Sequence, residues 1–192
     1  MDAKKKIIMS VAAFAMIIVA SVVAVVAVLA AQNVTITNYI SVNYVVEDVY
    51  ANVELSYAIG DSSLTNASTL NFTPVANSPL VFNGDNTTAG TLTLPNQTIK
   101  KDKALFIKFK FTNNSAMATR ATSKFTITNT NMNVKYGTSV SAITSDTVPT
   151  NLDMDSLGTS KECYIKVSVK EANKIASYTG DIVWTLAAKP QA

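Results

Sequence analysis

Behind Lys4-Lys5-Lys6 the chain runs through an apolar stretch from Ile7 to Ala31 that contains Ser10 and Ser21 but no Gly, Pro or charge. At Val34 the pattern changes to a period of two, the spacing of a strand with one packed and one solvated face. Val34, Ile36, Ile40, Val42, Tyr44 and Val46 alternate with Thr35, Thr37, Ser41 and Asn43. After Glu47-Asp48 the alternation resumes through Val49, Ala51, Val53, Leu55, Tyr57 and Ile59 as far as Gly60-Asp61, predicting two long strands or one bent ribbon. Shorter strands are predicted at Leu70 to Val75, at Pro79 to Phe82 before Asn83-Gly84-Asp85, and at Thr91 to Leu94 before Pro95-Asn96. Leu105, Ile107, Phe109 and Phe111 alternate with Lys108 and Lys110, so this strand has one packed and one wet face.

Phe125 to Ile127 and Met132 to Tyr136 flank further turns, and the Ser/Thr-rich stretch from Gly137 to Ser160, which contains Pro149, reads as a long loop. Cys163, Ile165, Val167 and Val169 alternate with Tyr164, Lys166, Ser168 and Lys170, and a last strand is predicted from about Asp181 to Ala187. Glu171 to Ser177 has room for one helical turn. Roughly nine short strands rich in Thr, Val, Ile and Tyr predict an all-β fold, an antiparallel β-sandwich of jelly-roll or Ig-like type preceded by one N-terminal hydrophobic helix. No internal repeat is visible, which disfavours a solenoid or propeller.

The apolar stretch divides the chain into residues 1–31, a signal peptide or N-terminal transmembrane anchor, and residues 32–192, an extracellular β-sandwich domain. At 1.5 Å per residue it makes a helix of roughly 37 Å, more than a hydrocarbon core needs. The three lysines ahead of it stay cytoplasmic and place the domain outside. The stretch exceeds an ordinary secretory core, yet Val28-Leu29-Ala30 and Ala31-Gln32 offer small residues to a signal peptidase. The location is therefore the membrane, facing outside, or the medium if the chain is cut near Ala30/Ala31.

Composition narrows the chemistry. Without Asp2, Lys4, Lys5 and Lys6 the chain carries 13 Lys+Arg against 12 Asp+Glu, so the headline charge of +3 belongs mostly to the flank of the apolar segment. A nearly neutral domain lacks the basic stripe that phosphate backbones require, and nucleic acid is not an expected partner. With no His, triads built on imidazole and HExxH zinc sites are excluded, and a single Cys excludes an internal disulfide.

The remaining sites are sparse. Asp153 and Asp155, with Asp146, have the oxygen chemistry of a calcium loop but lack its spacing and Gly, so an ordinary polar loop is the plainer reading. Glu54 and Glu162 on separate strands are the carboxylates that a glycosidase arrangement would draw on. Ser123-Lys124 and Ser160-Lys161 are strand neighbours that point to opposite faces and form no Ser-Lys pair. Cys163 lies on an apolar face and reads as a buried thiol. Asn-x-Ser/Thr sequons stand at Asn33, Asn66, Asn71, Asn86, Asn96 and Asn113. No catalytic, cofactor-binding or metal site is expected.

The Lys-initiated export segment, the alternating strand directly behind it and the later Cys163-x-Ile165-x-Val167-x-Val169 strand together resemble the TasA/camelysin type of secreted β-sandwich found in Firmicutes. The likeness is architectural. It implies assembly into extracellular matrix fibres, the N-terminal strand of one subunit completing the sheet of the next. The matching segment is Asn33 to Val46, whose alternating apolar positions Val34, Ile36, Ile40, Val42 and Tyr44 make the candidate interaction strand. Pairing of that strand within its own domain is the alternative. Camelysin is associated with metal-dependent proteolysis, for which this chain lacks His and any zinc-binding motif.

A second resemblance is local. Tyr178-Thr-Gly-Asp-Ile182-Val-Trp184-Thr-Leu186-Ala-Ala-Lys-Pro190 is similar to the distal motif of WxL cell-wall-binding domains, although Trp184 is the only tryptophan and the first Trp-x-Leu is missing. Tyr178, Trp184 and Leu186 are therefore either wall-binding residues or core residues of the last strand. The sequence thus points to a non-enzymatic surface or matrix protein, a homo-oligomer or cell-envelope component that polymerises through residues 33–46, with a wall- or ligand-binding surface module as the alternative.

Overall fold

The computed structural model describes residues 33–84, 86–171 and 174–190, with the backbone alone for 33–39. The predicted N-terminal hydrophobic helix lies outside the described residues. Twelve strands are formed within them: β1 (Asn33–Val46), β2 (Ala51–Asp61), β3 (Thr73–Pro74), β4 (Leu80–Phe82), β5 (Thr88–Leu94), β6 (Gln97–Lys100), β7 (Lys103–Asn113), β8 (Thr119–Thr130), β9 (Met132–Gly137), β10 (Asn151–Met154), β11 (Ser160–Val169) and β12 (Ala176–Ala188).

These strands form two sheets. The first runs β10-β8-β12-β1-β5, with β6 also on β1, and the second runs β3-β2-β7-β11-β9, with β4 also on β2. Pairing is antiparallel except between β1 and β12, which run parallel from Ile36 opposite Ala176 to Val46 opposite Leu186. That parallel pair corrects the expectation of an antiparallel arrangement throughout. The first and last strands of the domain meet in mid-sheet, where no hairpin can join them.

Period-two patterning explains the inner layer. Ile40, Val42, Tyr44 and Val46 of β1 are buried while Ser41, Asn43 and Val45 are half-buried, and the partners facing them from the second sheet include Val53, Leu55, Phe109, Phe111, Cys163 and Ile165. Trp184 joins the layers, its ring 4.6 Å from Phe111, 5.8 Å from Phe109 and 6.2 Å from Phe125.

A second, smaller core lies on the outer face of the second sheet. There Ala104, Phe106 and Tyr164 are covered by Ala67 and Ile143 from two loops, with Leu64, Leu70, Phe72 and Val140 packed around them. The outer face of β7 is therefore wet at Lys108 and Lys110 but buried at Phe106, a departure from the simple alternation read in the sequence. Beneath the same cover, Lys166 donates to the Leu64 carbonyl at 2.6 Å.

Other departures have physical causes. The segment read as a loop, Gly137 to Ser160, holds β10, whose Leu152 and Met154 enter the core against the edge of β8. β8 extends well beyond Phe125–Ile127 because β12 pairs with it from Thr119 to Thr130, and its upper inward positions, Thr119, Ala121 and Ser123, give no apolar signal. β6 lacked alternation for the same reason, with Ile99 as its one buried apolar residue. The predicted helical turn at Glu171–Ser177 does not form where described, since Ala176 and Ser177 already pair with β1 and β8.

Candidate assembly strand and its groove

β1 is bonded on both sides by elements remote in sequence. On one side lies β12. On the other lie β6, from Asn33 opposite Lys100 to Ile36 opposite Gln97, and β5, from Ile40 opposite Leu94 to Val46 opposite Thr88. Val34 thus stands opposite Ile99, and Ile36 between Gln97 and Ala176. Ile40, Val42 and Tyr44 are fully buried. Strands in a sheet are about 4.8 Å apart, so the walls β12 and β5/β6 are roughly 10 Å apart and leave a slot one strand wide.

β1 is attached to the rest of the domain by Glu47–Tyr50. The Glu47 amide donates to the Leu186 carbonyl at 2.9 Å, and Asp48 takes a left-handed conformation with φ of 50°. Val49 is buried, the Tyr50 amide donates to Ser115 Oγ at 2.7 Å, and the Asn114 amide donates to the Tyr50 carbonyl at 2.9 Å. The connection is therefore fixed at its far end and bent sharply at Asp48. On the solvated face of β1, Asn43 Oδ1 accepts a hydrogen bond from Thr91 Oγ1 at 2.8 Å across the β5 pairing.

Tyr178, Trp184 and Leu186 all point inward from β12 and are fully buried. Trp184 Nε1 and Tyr44 Oη are enclosed without a hydrogen-bond partner, and burial pushes the Tyr44 phenol well above its ordinary range. None of the three β12 side chains is presented to solvent by the folded domain.

The carboxylates are committed to ion pairs. Asp153 accepts from Arg120 Nε at 2.6 Å and Nη2 at 3.0 Å and meets Lys189 Nζ at 3.1 Å; Asp155 pairs with Lys189 at 2.9 Å and Asp146 with Lys135 at 2.6 Å. The Arg120 and Lys189 hydrogen bonds hold the Asp153 carboxyl well below the usual carboxylate range. Among the described residues no group of three or more Cys, Asp or Glu is placed to hold a metal ion.

Glu54 and Glu162 do converge, both standing opposite Lys110 in register on the outer face of the second sheet. Glu54 pairs with Lys110 at 2.8 Å and Glu162 with Lys108 at 2.6 Å, while the Tyr164 hydroxyl donates to Glu162. Burial alone would raise the Glu162 carboxyl, but the bonds from Lys108 and Tyr164 outweigh it and hold it lowered. The row is a surface charge ladder, with Lys108 set 5.7 Å from the rings of both Phe72 and Tyr164. Ser123 and Ser160 are turned to other partners, the Pro149 carbonyl and Thr112 Oγ1.

Cys163 is buried and burial pushes its thiol up to about 12, so little thiolate exists near neutrality. Of the sequons, Asn66, Asn71, Asn86 and Asn96 are exposed, whereas Asn113 is buried and its amide donates to the Met117 carbonyl at 2.8 Å. Of the slot's walls, β5 was predicted as a strand at Thr91 to Leu94, whereas β6 and the left-handed bend at Asp48 were not singled out by sequence reasoning. Ile99, the one buried apolar residue of β6, makes too short an alternation to mark that strand.

No protein-family model matches this chain, and none of the curated proteins matches it.

Proposed function

We propose that this protein is a non-enzymatic structural component of the cell surface or extracellular matrix, a β-sandwich of jelly-roll or Ig-like type that polymerises by exchange of β1. The observation that carries this reading is the position of β1. It is the first strand among the described residues, it fills a slot between β12 and β5/β6, and one short connection ties it to the body. A β1 from a second copy can make the same backbone bonds and bury the same side chains, so closed and exchanged forms differ mainly in the connection and in concentration.

Exchange of this kind is head-to-tail. Straightened at Glu47–Tyr50, a strand of 14 residues reaches roughly 46 Å beyond its own domain, and a contact that does not close on itself propagates as a fibre. Export through residues 7–31 supplies the location, and cleavage near Ala30/Ala31 would free the subunit. A wall-binding role for Tyr178, Trp184 and Leu186 draws no support from their burial.

The test is a disulfide across the slot. Asn43→Cys with Thr91→Cys joins β1 to β5 at a pair whose native side chains already touch. After air oxidation, a ladder of covalent multimers on a non-reducing gel is expected, together with fibres in negative-stain micrographs. A single compact monomer band at every concentration would overturn the reading.

A further inference from the structure

We infer that the end of the domain at which Asn33 enters is a docking surface for an anionic lipid bilayer. This rests on the export reading of residues 7–31 as a bilayer segment and not on polymerisation.

The placement follows from the sheets. β1 begins at Asn33 opposite Lys100, the last residue of β6, and β12, parallel to β1, begins at Ala176 opposite Ile36. β8 reaches the same end at Thr130 opposite Ser177, and Lys101, Asp102, Asn131, Lys170, Glu171, Lys174 and Ile175 all lie there. In the sequence, Gln32 alone separates Asn33 from the apolar run that stops at Ala31. Whatever lies at this end is therefore held at the membrane surface when residues 7–31 cross it.

The chemistry fits that surface. Lys100, Lys101 and Lys170 are exposed and have no ion pair among the described residues, with Asp102 as the counter-charge between them and β7; Lys103 and Lys174 are paired with Asp61 and Glu171. The opposite end of β1 carries Glu47 and Asp48, exposed and without an ion pair among the described residues. The positive pole of the domain thus faces the side from which the apolar run enters. Ile175, at the same end as these lysines, is 85% exposed, and an apolar side chain on a lysine-bearing end is the pattern that seats in a headgroup layer.

The tip is built in advance. Asn131, with φ of 55°, donates from Nδ2 to the carbonyls of Glu171 at 2.7 Å and Lys174 at 3.3 Å, and its Oδ1 accepts from the Glu171 amide at 2.9 Å. The Lys170 amide adds a bond to the Asn131 carbonyl at 3.0 Å. Few lysines recruit a free domain strongly, but a one-residue tether gives a high effective concentration, so the contact sets orientation.

The experiment uses the full chain, reconstituted in vesicles of phosphatidylcholine with or without phosphatidylglycerol, carrying an environment-sensitive fluorophore on Ile175→Cys. Leu157→Cys, 64% exposed beyond β10 at the far end, serves as the comparison, and buried Cys163 stays unlabelled. Expected is blue-shifted, brighter emission at position 175 in phosphatidylglycerol vesicles only, reversed by high salt and by combined Lys100→Gln, Lys101→Gln and Lys170→Gln. Water-like emission at 175 in both vesicle types, or an equal shift at 157, would overturn the docking. Extraction of the chain by alkaline carbonate would instead remove the bilayer segment, and the tether with it.

Discussion

Trp184 of β12 and Phe111 of β7 meet at 4.6 Å between ring centres, and this contact joins the first sheet to the second at the centre of the core. Large aromatic side chains dominate such cores because each buries much apolar area and its ring fixes the spacing of the layers.

Truncating Trp184 to Ala is expected to cost about 3–5 kcal/mol, since the surrounding Phe109, Phe111 and Phe125 cannot close the cavity. Trp184→Phe should cost less, because it keeps a ring and removes the unpartnered Nε1 donor. Urea unfolding followed by circular dichroism separates the two; equal costs would mean that the ring kept by Phe does not fill the space left by the indole.

Acid should weaken the fold partly through Asp153. Its carboxyl is depressed by Arg120 and then Lys189, so its contribution is complete above the unfolded value near pH 4 and fades as pH falls toward the lower folded value. Asp153→Asn should therefore melt lower than the parent at pH 7 and lose less stability between about pH 4 and 2. Thermal melts across that range test the sign; parallel profiles would show that the pair contributes nothing pH-dependent.

The bend at Asp48 should control whether β1 closes on its own domain. Proline fixes φ near −65°, incompatible with the 50° at this position, so Asp48→Pro should raise the exchanged fraction seen by light scattering. Asp48→Asn tolerates the left-handed conformation and should behave as the parent. A lowered melting temperature with no added oligomer in the proline variant would mean that β1 has no partner but its own domain.

Much of the fold was legible because alternation survives in strands with one apolar face. β1, β2, β7 and β11 carry mostly Val, Ile, Leu, Tyr or Phe at alternate positions, and all four lie where the pattern predicts. The first half of β8 and all of β10 were not legible: Thr119, Ala121 and Ser123 face inward without an apolar signature, and β10 has room for only Leu152 and Met154. Their strand state is imposed by pairing with β12 and with each other. The outer cover over Phe106 and Tyr164 was equally hidden, because its apolar residues come from loops distant in sequence.

The candidate site divides in the same way. Sequence alone marked Asn33 to Val46 as a strand with one apolar face behind a bilayer-length segment, and excluded imidazole and disulfide chemistry by composition. Tertiary structure decided which neighbours β1 takes, that Glu54 and Glu162 stand on either side of Lys110, and that Asp153 is held by Arg120 and Lys189. Local patterning reports which face of a strand is apolar, because that depends on residues two apart. Which edges meet, and which charges face one another, depends on chain segments tens of residues apart, brought together by the burial of both sheets on one core.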